Sequence, residues 1–215
     1  MINYLILFLF SFLVRGEGEE ISWTPELKRV IQIQLQYVKD PAQKAVLETL
    51  QEQKSLEGFK EVPVGQLRVT GYYTPLVDTR EKAQKHAKMQ GSAFWIGREG
   101  SRKLLSYRGK RAGKDFYSLL GDLPRGASGT PLVAGYSAAV DPKKIPYGSV
   151  LLAYIGGKPR LLFAQDTGAK IQRNNEIDIY MGQGESARRE ALKFYRPHKI
   201  TLLTPGADCD YESEL

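Results

Sequence analysis

Cysteine is almost absent: the 215 residues hold one, Cys209. A lone thiol excludes an internal disulfide framework and any multi-cysteine metal site. Histidine is nearly as scarce. His86 and His198 have no partners at ligand spacing and read as ordinary surface or loop residues, so the sequence indicates no metal and no cofactor. The longest apolar run, Tyr4–Val14, covers eleven residues, short of the ~20 that a bilayer-spanning helix needs. It fits the apolar region of an export signal, although no Lys or Arg precedes it and no Ala-x-Ala follows. An uncleaved anchor is the alternative, and either way residues 1–20 are set apart from the fold as a signal or anchor segment.

What is present is ordinary globular composition, 42% hydrophobic and 26% charged, with 21 Gly and 11 Pro. That many turn-formers implies a β-rich fold. The formal charge of +7 is concentrated: twelve Lys/Arg against four Asp/Glu lie between Arg80 and Arg125, and nineteen against twenty elsewhere. A basic field of this kind favours an anionic partner, whether nucleic acid, acidic lipid or a polyanionic wall polymer. A solvated lysine-rich loop reads equally well.

Along the chain, Ser22–Gly58 predicts two helices. Thr24-Pro25 and Asp40-Pro41 are start signals, and Leu27, Val30, Ile31, Leu35 and Val38 form the apolar stripe of the first. Gln66–Pro75 predicts a strand on which Tyr72 and Tyr73 point to opposite faces, so one of them offers its ring to a groove or both form a sheet-edge pair. Asp78–Gly129, glycine-rich and basic, predicts short strands and turns rather than helices. A strand ending at Asp141 and another at Ser149–Tyr154 follow. Leu161–Tyr180 is the organising stretch: Leu161-Leu162-Phe163-Ala164 reads as a buried strand delivering Asp166 into an Asp-Thr-Gly turn, a polar loop follows, and Glu176–Tyr180 alternates as a half-buried strand. Asp166 and Asp178 thus stand at strand ends around one excursion, an arrangement suited to unequal pKa values. Beyond it come a helix over Glu185–Tyr195, with Ala187, Ala191, Leu192 and Phe194 inward, the strand Lys199–Leu203, and an acidic tail over 206–215.

These segments in this order, TGYYTP (Thr70–Pro75), YSAAVDPKKIPYGS (Tyr136–Ser149), AQDTGAKI (Ala164–Ile171) and EIDIYMGQG (Glu176–Gly184), resemble the membrane-bound lytic murein transglycosylase A family. The second half resembles its 3D domain, whose three aspartates would be Asp141, Asp166 and Asp178. The resemblance implies a mainly β, α+β fold: N-terminal helices over 21–60, a double-psi β-barrel from 61–78 and 130–205, and a small inserted β-rich basic domain over 79–129. The insertion is short, lacking the long helical stretch of full-length members. No cysteine stands directly after the apolar run, so the expected protein is exported to the periplasm or cell envelope and is not a lipoprotein.

For the site, the resemblance implies Asp178 as the catalytic acid with Asp166 beside it, and Asp141 as a structural acid of the Asp-Pro turn. Tyr72, Tyr73, Thr70, Thr167 and Gly168 would bind substrate. The implied partner is the peptidoglycan glycan strand, met by a monomer, with membrane association through the N-terminal apolar segment and no nucleic acid. The implied reaction cleaves the β-1,4 bond between N-acetylmuramic acid and N-acetylglucosamine, leaving 1,6-anhydromuramic ends. A non-catalytic peptidoglycan-binding barrel is the principal alternative. An aspartic protease reading of Asp166-Thr167-Gly168 requires a homodimer, because such enzymes combine two of these turns and the chain has one.

Overall fold

The computed structural model describes residues 21–193 and 196–205. The segment 1–20, the acidic tail with Cys209, and Phe194 and Tyr195 lie outside the described residues. Among the described residues no helix is long and apolar enough to cross a membrane.

Both expected N-terminal helices form: α1 (Pro25–Tyr37) and α2 (Pro41–Gln53). Thr24 accepts from the Leu27 N–H and Asp40 from the Gln43 N–H, each with proline in the first turn. Such caps satisfy donors that the helix itself leaves orphaned. The chain continues through β1 (Phe59–Thr74), β2 (Leu76–Val77), α3 (Arg80–Gln90), β3 (Ser92–Ile96), β4 (Arg102–Arg111) and β5 (Lys114–Leu120). It then forms β6 (Ser137–Ala139), β7 (Val150–Ile155), β8 (Lys158–Asp166), α4 (Ala169–Asn174), β9 (Glu176–Gln183), α5 (Gly184–Ala191) and β10 (Arg196–Pro205).

Six strands close into a barrel in the order β1-β10-β7-β8-β6-β9. The pairs β1–β9 and β6–β8 are parallel and the others antiparallel. Alternation sends Leu67, Val69, Ala138, Leu162, Ile177 and Ile179 into the interior. The outward residues of β7 and β8, among them Leu152, Leu161 and Phe163, are buried a second time beneath Leu27, Ile31, Leu47 and Leu50 of α1 and α2. Both faces of β8 are therefore apolar, which is why Leu161–Ala164 has no polar alternation. The other sheet, β2-β3-β4-β5, carries α3 on a small core of Ala83, Ala87, Ala93, Trp95 and Leu105.

The structure corrects several local expectations. The basic region holds the helix α3, capped by Thr79 and docked through Ala83 and Ala87. Its buried stripe is only two methyl groups wide, so charge masks the period. The polar loop after Asp166 contains α4, and β6 ends at Ala139 rather than Asp141. The last helix ends at Ala191, and Leu192, expected inward, is 74% exposed.

Helix α5 packs on β1 at Gly71, where a Cβ would lie 2.7 Å from the Ala191 Cα. Gly71→Ala should therefore destabilise the chain by about 1–3 kcal/mol, as overpacking does. Denaturant unfolding checks this, and an unchanged midpoint would show that α5 is free to shift.

Candidate active site

Three adjacent strands position the two carboxylates. Ala139 of β6 pairs with Asp166 of β8 on one side and with Asp178 of β9 on the other. Regular alternation would send Asp166 inward with Leu162 and Ala164. Instead, the pairing jumps from Ala138↔Ala164 to Ala139↔Asp166, leaving Gln165 as the extra residue of a bulge. The bulge turns Asp166 to the outer face, the one Asp178 already shares with Thr70 and Tyr72. The Cα atoms of the acids stand about 10 Å apart, two strand spacings, and the residue between them is only an alanine.

Asp166 is held from three directions. The Ala127 N–H and the Thr167 N–H each donate to Oδ1 at 2.9 Å, and the Tyr72 hydroxyl donates to Oδ2 at 2.9 Å. Burial pushes its carboxyl above the ordinary range, opposed by the N–H of Thr167, the Tyr72 hydroxyl and the N–H of Ala127. Ala127 arrives on a loop that has to pass against β8. The Ser128 N–H donates to the Gln165 carbonyl at 3.0 Å, and a Cβ on Gly126 would collide with that same carbonyl. Tyr72 remains a phenol: burial first, and then the Asp166 charge, hold its pKa well above the usual range.

Asp178 has far less support. Its Oδ1 is buried and has no hydrogen-bond partner. Burial pushes the carboxyl up to about 6. The nearby Thr70 hydroxyl favours the charged form, Glu176 opposes it, Lys170 favours it and Asp166 opposes it. The Thr70 hydroxyl donates to the Ile177 carbonyl at 3.3 Å and acts on Asp178 as a neighbouring dipole. Glu176 lies on the same face of β9, 1% exposed, with Lys170 at 3.8 Å and Arg68 at 3.9 Å.

Of the residues singled out in the sequence, Thr70, Tyr72, Asp166, Thr167 and Asp178 come together. Thr167 also donates from its hydroxyl to the Val140 carbonyl at 2.7 Å, fixing the turn. Tyr73 projects from the opposite face of β1, away from both acids. Gly168 stands at the N-cap of α4 with extended backbone. Asp141 accepts from the Lys143 N–H at 3.1 Å inside its own turn and lines a 330 Å³ cavity with Glu176 and Lys144. A 540 Å³ cavity lies under α1, and neither cavity includes Asp166 or Asp178. Sequence reasoning missed Ala127, Ala139, Glu176 and Tyr180, whose ring centroid lies 5.3 Å from that of Tyr72. Only the alternation in Glu176–Tyr180 could have signalled the last two. No group of three or more acidic, His or Cys side chains suited to a metal occurs among the described residues.

The closed barrel with its inserted sheet has known counterparts. Residues 136–204 match the 3D domain family. The fold is that of the MltA lytic transglycosylases. The E. coli MltA structure with bound chitohexaose superposes with a TM-score of 0.70 at 18% identity, over 90% of this chain and 92% of that one. MltA from Neisseria gonorrhoeae gives 0.64 at 16% identity, over 85% and 88%. The membrane-bound lytic murein transglycosylase from Agrobacterium tumefaciens gives 0.60 at 16%, over 84% and 92%. At these identities the likeness is one of fold. No match was found among curated proteins.

The raised pKa of Asp178 ties stability to pH. Well below pH 4 the acid is neutral both folded and unfolded, and nothing is lost. Between about pH 4 and pH 6 the unfolded chain ionises the group while the folded state still holds it neutral, so stability falls across that window and levels off above it. Asp178→Asn should therefore match the wild type near pH 4 and exceed it at pH 8 by on the order of 2–3 kcal/mol. Thermal unfolding at the two pH values checks this, and an equal difference at both would contradict it.

Proposed function

We propose that this chain is a lytic transglycosylase of the MltA family, cleaving the β-1,4 bond between N-acetylmuramic acid and N-acetylglucosamine with formation of 1,6-anhydromuramic ends. The observation that carries the reading is Asp178: a half-buried carboxyl whose Oδ1 is sealed and unbonded, with a pKa pushed up to about 6, so that both protonation states are accessible near neutrality.

In this reading, protonated Asp178 donates to the glycosidic oxygen as the C1–O bond breaks. The resulting carboxylate then takes the proton of the C6 hydroxyl, and O6 bonds to C1 to close the anhydro ring. The proton returns to the acid, no water is consumed, and one group serves both steps. Inverting glycosidases use a second carboxylate to activate water and retaining ones use it as a nucleophile. Asp166 suits neither task, because both of its oxygens are already bonded to Tyr72, Ala127 and Thr167. Its role is to orient the Tyr72 ring and anchor the loop carrying Ala127, with its charge facing the cationic sugar of the transition state. Intramolecular attack gains from proximity once the sugar is held in place. Thr70 and Tyr72 are placed to hold it, whereas Tyr73 and Gly168 are expected to contribute less.

The same reading makes the ring of strands a double-psi barrel built from 61–78 and 130–205, with 79–129 as the inserted domain and the glycan lying between them. The protein would act as a monomer in the envelope, exported and held at the membrane through its N-terminal apolar segment. The E. coli relative is known with bound chitohexaose, and a neutral hexasaccharide of the same backbone is the natural first ligand here.

The test is digestion of purified sacculi followed by mass spectrometry. The wild type should release anhydromuropeptides, and Asp178→Asn should fold, bind sacculi and release none. Product from the Asn variant would remove Asp178 from the mechanism. Binding without product from the wild type would leave a glycan-binding module.

A further inference from the structure

The inserted sheet carries the chain's basic excess, yet one of its cations behaves unlike the rest. Arg102, at the start of β4, reaches out of its own sheet and donates from Nη2 to the side-chain oxygen of Gln183 on the barrel. Its guanidinium is stacked at 4.7 Å over the ring of Phe94. No carboxylate of the described residues is paired with it. Glu185, two positions beyond Gln183, is engaged by Arg188 at 3.2 Å. The fork thus keeps N–H donors free while being contacted on two sides by Gln183 and Phe94, which favours an oriented guanidinium for binding an oxyanion.

Its position is continuous with the two acids. Both Gln183 and the Arg102 charge act on the hydroxyl of Tyr180. Tyr180 shares a hydrogen bond with Thr74 at 3.2 Å and tilts against Tyr72, whose hydroxyl is on Asp166. Tyr180 itself is buried, and a ligand laid from Asp178 past Tyr72 toward Gln183, on the same strand as Asp178, meets Arg102 next.

We infer that Arg102 is a specificity residue, recognising a carboxylate on the 3-O substituent of a muramic acid sugar in the bound strand. The inference rests on the glycan reading above and adds to it how peptidoglycan is told from chitin. Both polymers share the β-1,4 backbone and the N-acetyl groups, and only the muramic sugar carries an acid, as the lactyl group itself or as the stem peptide attached to it. A fixed guanidinium at the junction of sheet and barrel discriminates between them by charge.

The experiment measures affinity in the Asp178→Asn background, where ligands survive, for three probes: chitohexaose, a muramyl hexasaccharide with free lactyl groups, and the same strand bearing stem peptides. Arg102→Gln should weaken one or both muramyl probes by about tenfold or more, and chitohexaose several-fold less. Arg102→Lys should restore part of the difference. Loss confined to the free lactyl strand assigns that carboxylate, and loss confined to the peptide-bearing strand assigns the stem. Equal weakening of all three probes would make Arg102 a strap between sheet and barrel and overturn the inference, as would no change in any. Should Arg102→Gln fail to fold, salt dependence decides. Muramyl affinity must fall with added salt more steeply than chitohexaose affinity, and parallel slopes overturn the inference. Failure of the catalytic reading is seen separately, in the sacculus digests, and does not alter these affinities.

Discussion

The site depends on one constraint: a half-buried carboxylic acid stands on the outer face of a barrel with one oxygen sealed from water and left unbonded. A buried ionised carboxylate without partners is costly, and the physical response is to raise the pKa until the neutral form becomes accessible. Asp178 and Asp166 lie on either side of the same alanine, but their surroundings push them apart in function. Asp166 has two backbone N–H groups and a phenol to stabilise its charge. Asp178 has Glu176 on the same strand face opposing its ionisation and Lys170 only partly offsetting it. Two identical side chains in one short stretch thereby acquire different chemistry.

The geometry needs the irregularity at Gln165. Without the extra residue, Asp166 would face the barrel interior among Leu162 and Ala164, and Tyr72 would have no partner. The bulge also exposes the Gln165 carbonyl to the Ser128 N–H, so the incoming loop is tied to the strand whose acid it helps to bind. Gly126 permits that approach because it has no side chain to intervene. Backbone irregularity, a glycine and a tyrosine thus act together on a single carboxylate.

Much of this was legible in the sequence. Thr24-Pro25 and Asp40-Pro41 marked both helix starts, and the unbroken apolar run before Asp166 marked a buried strand. The Asp-Thr-Gly turn and the alternation around Asp178 located the acids. Other features were hidden for physical reasons. A register shift leaves no residue signature, so the face on which Asp166 emerges could not be read. Ala127 acts through its N–H, which every residue but proline has. Helix α3 is docked by two alanines beneath a heavily charged surface, and its period is too faint to see. Alternation puts Glu176 on the polar side of its strand without telling whether that side is covered, and it is buried and bears on its neighbour two residues away.

The account stands on the protonation of one side chain in the intact protein. The most direct measurement follows the carboxyl carbon of Asp178 by NMR through a pH titration of the full chain, its signal assigned by its loss in Asp178→Asn. The account predicts a midpoint near 6. A midpoint at the ordinary aspartate value of about 3.9 would mean that the group is solvated and ionised, and would contradict it.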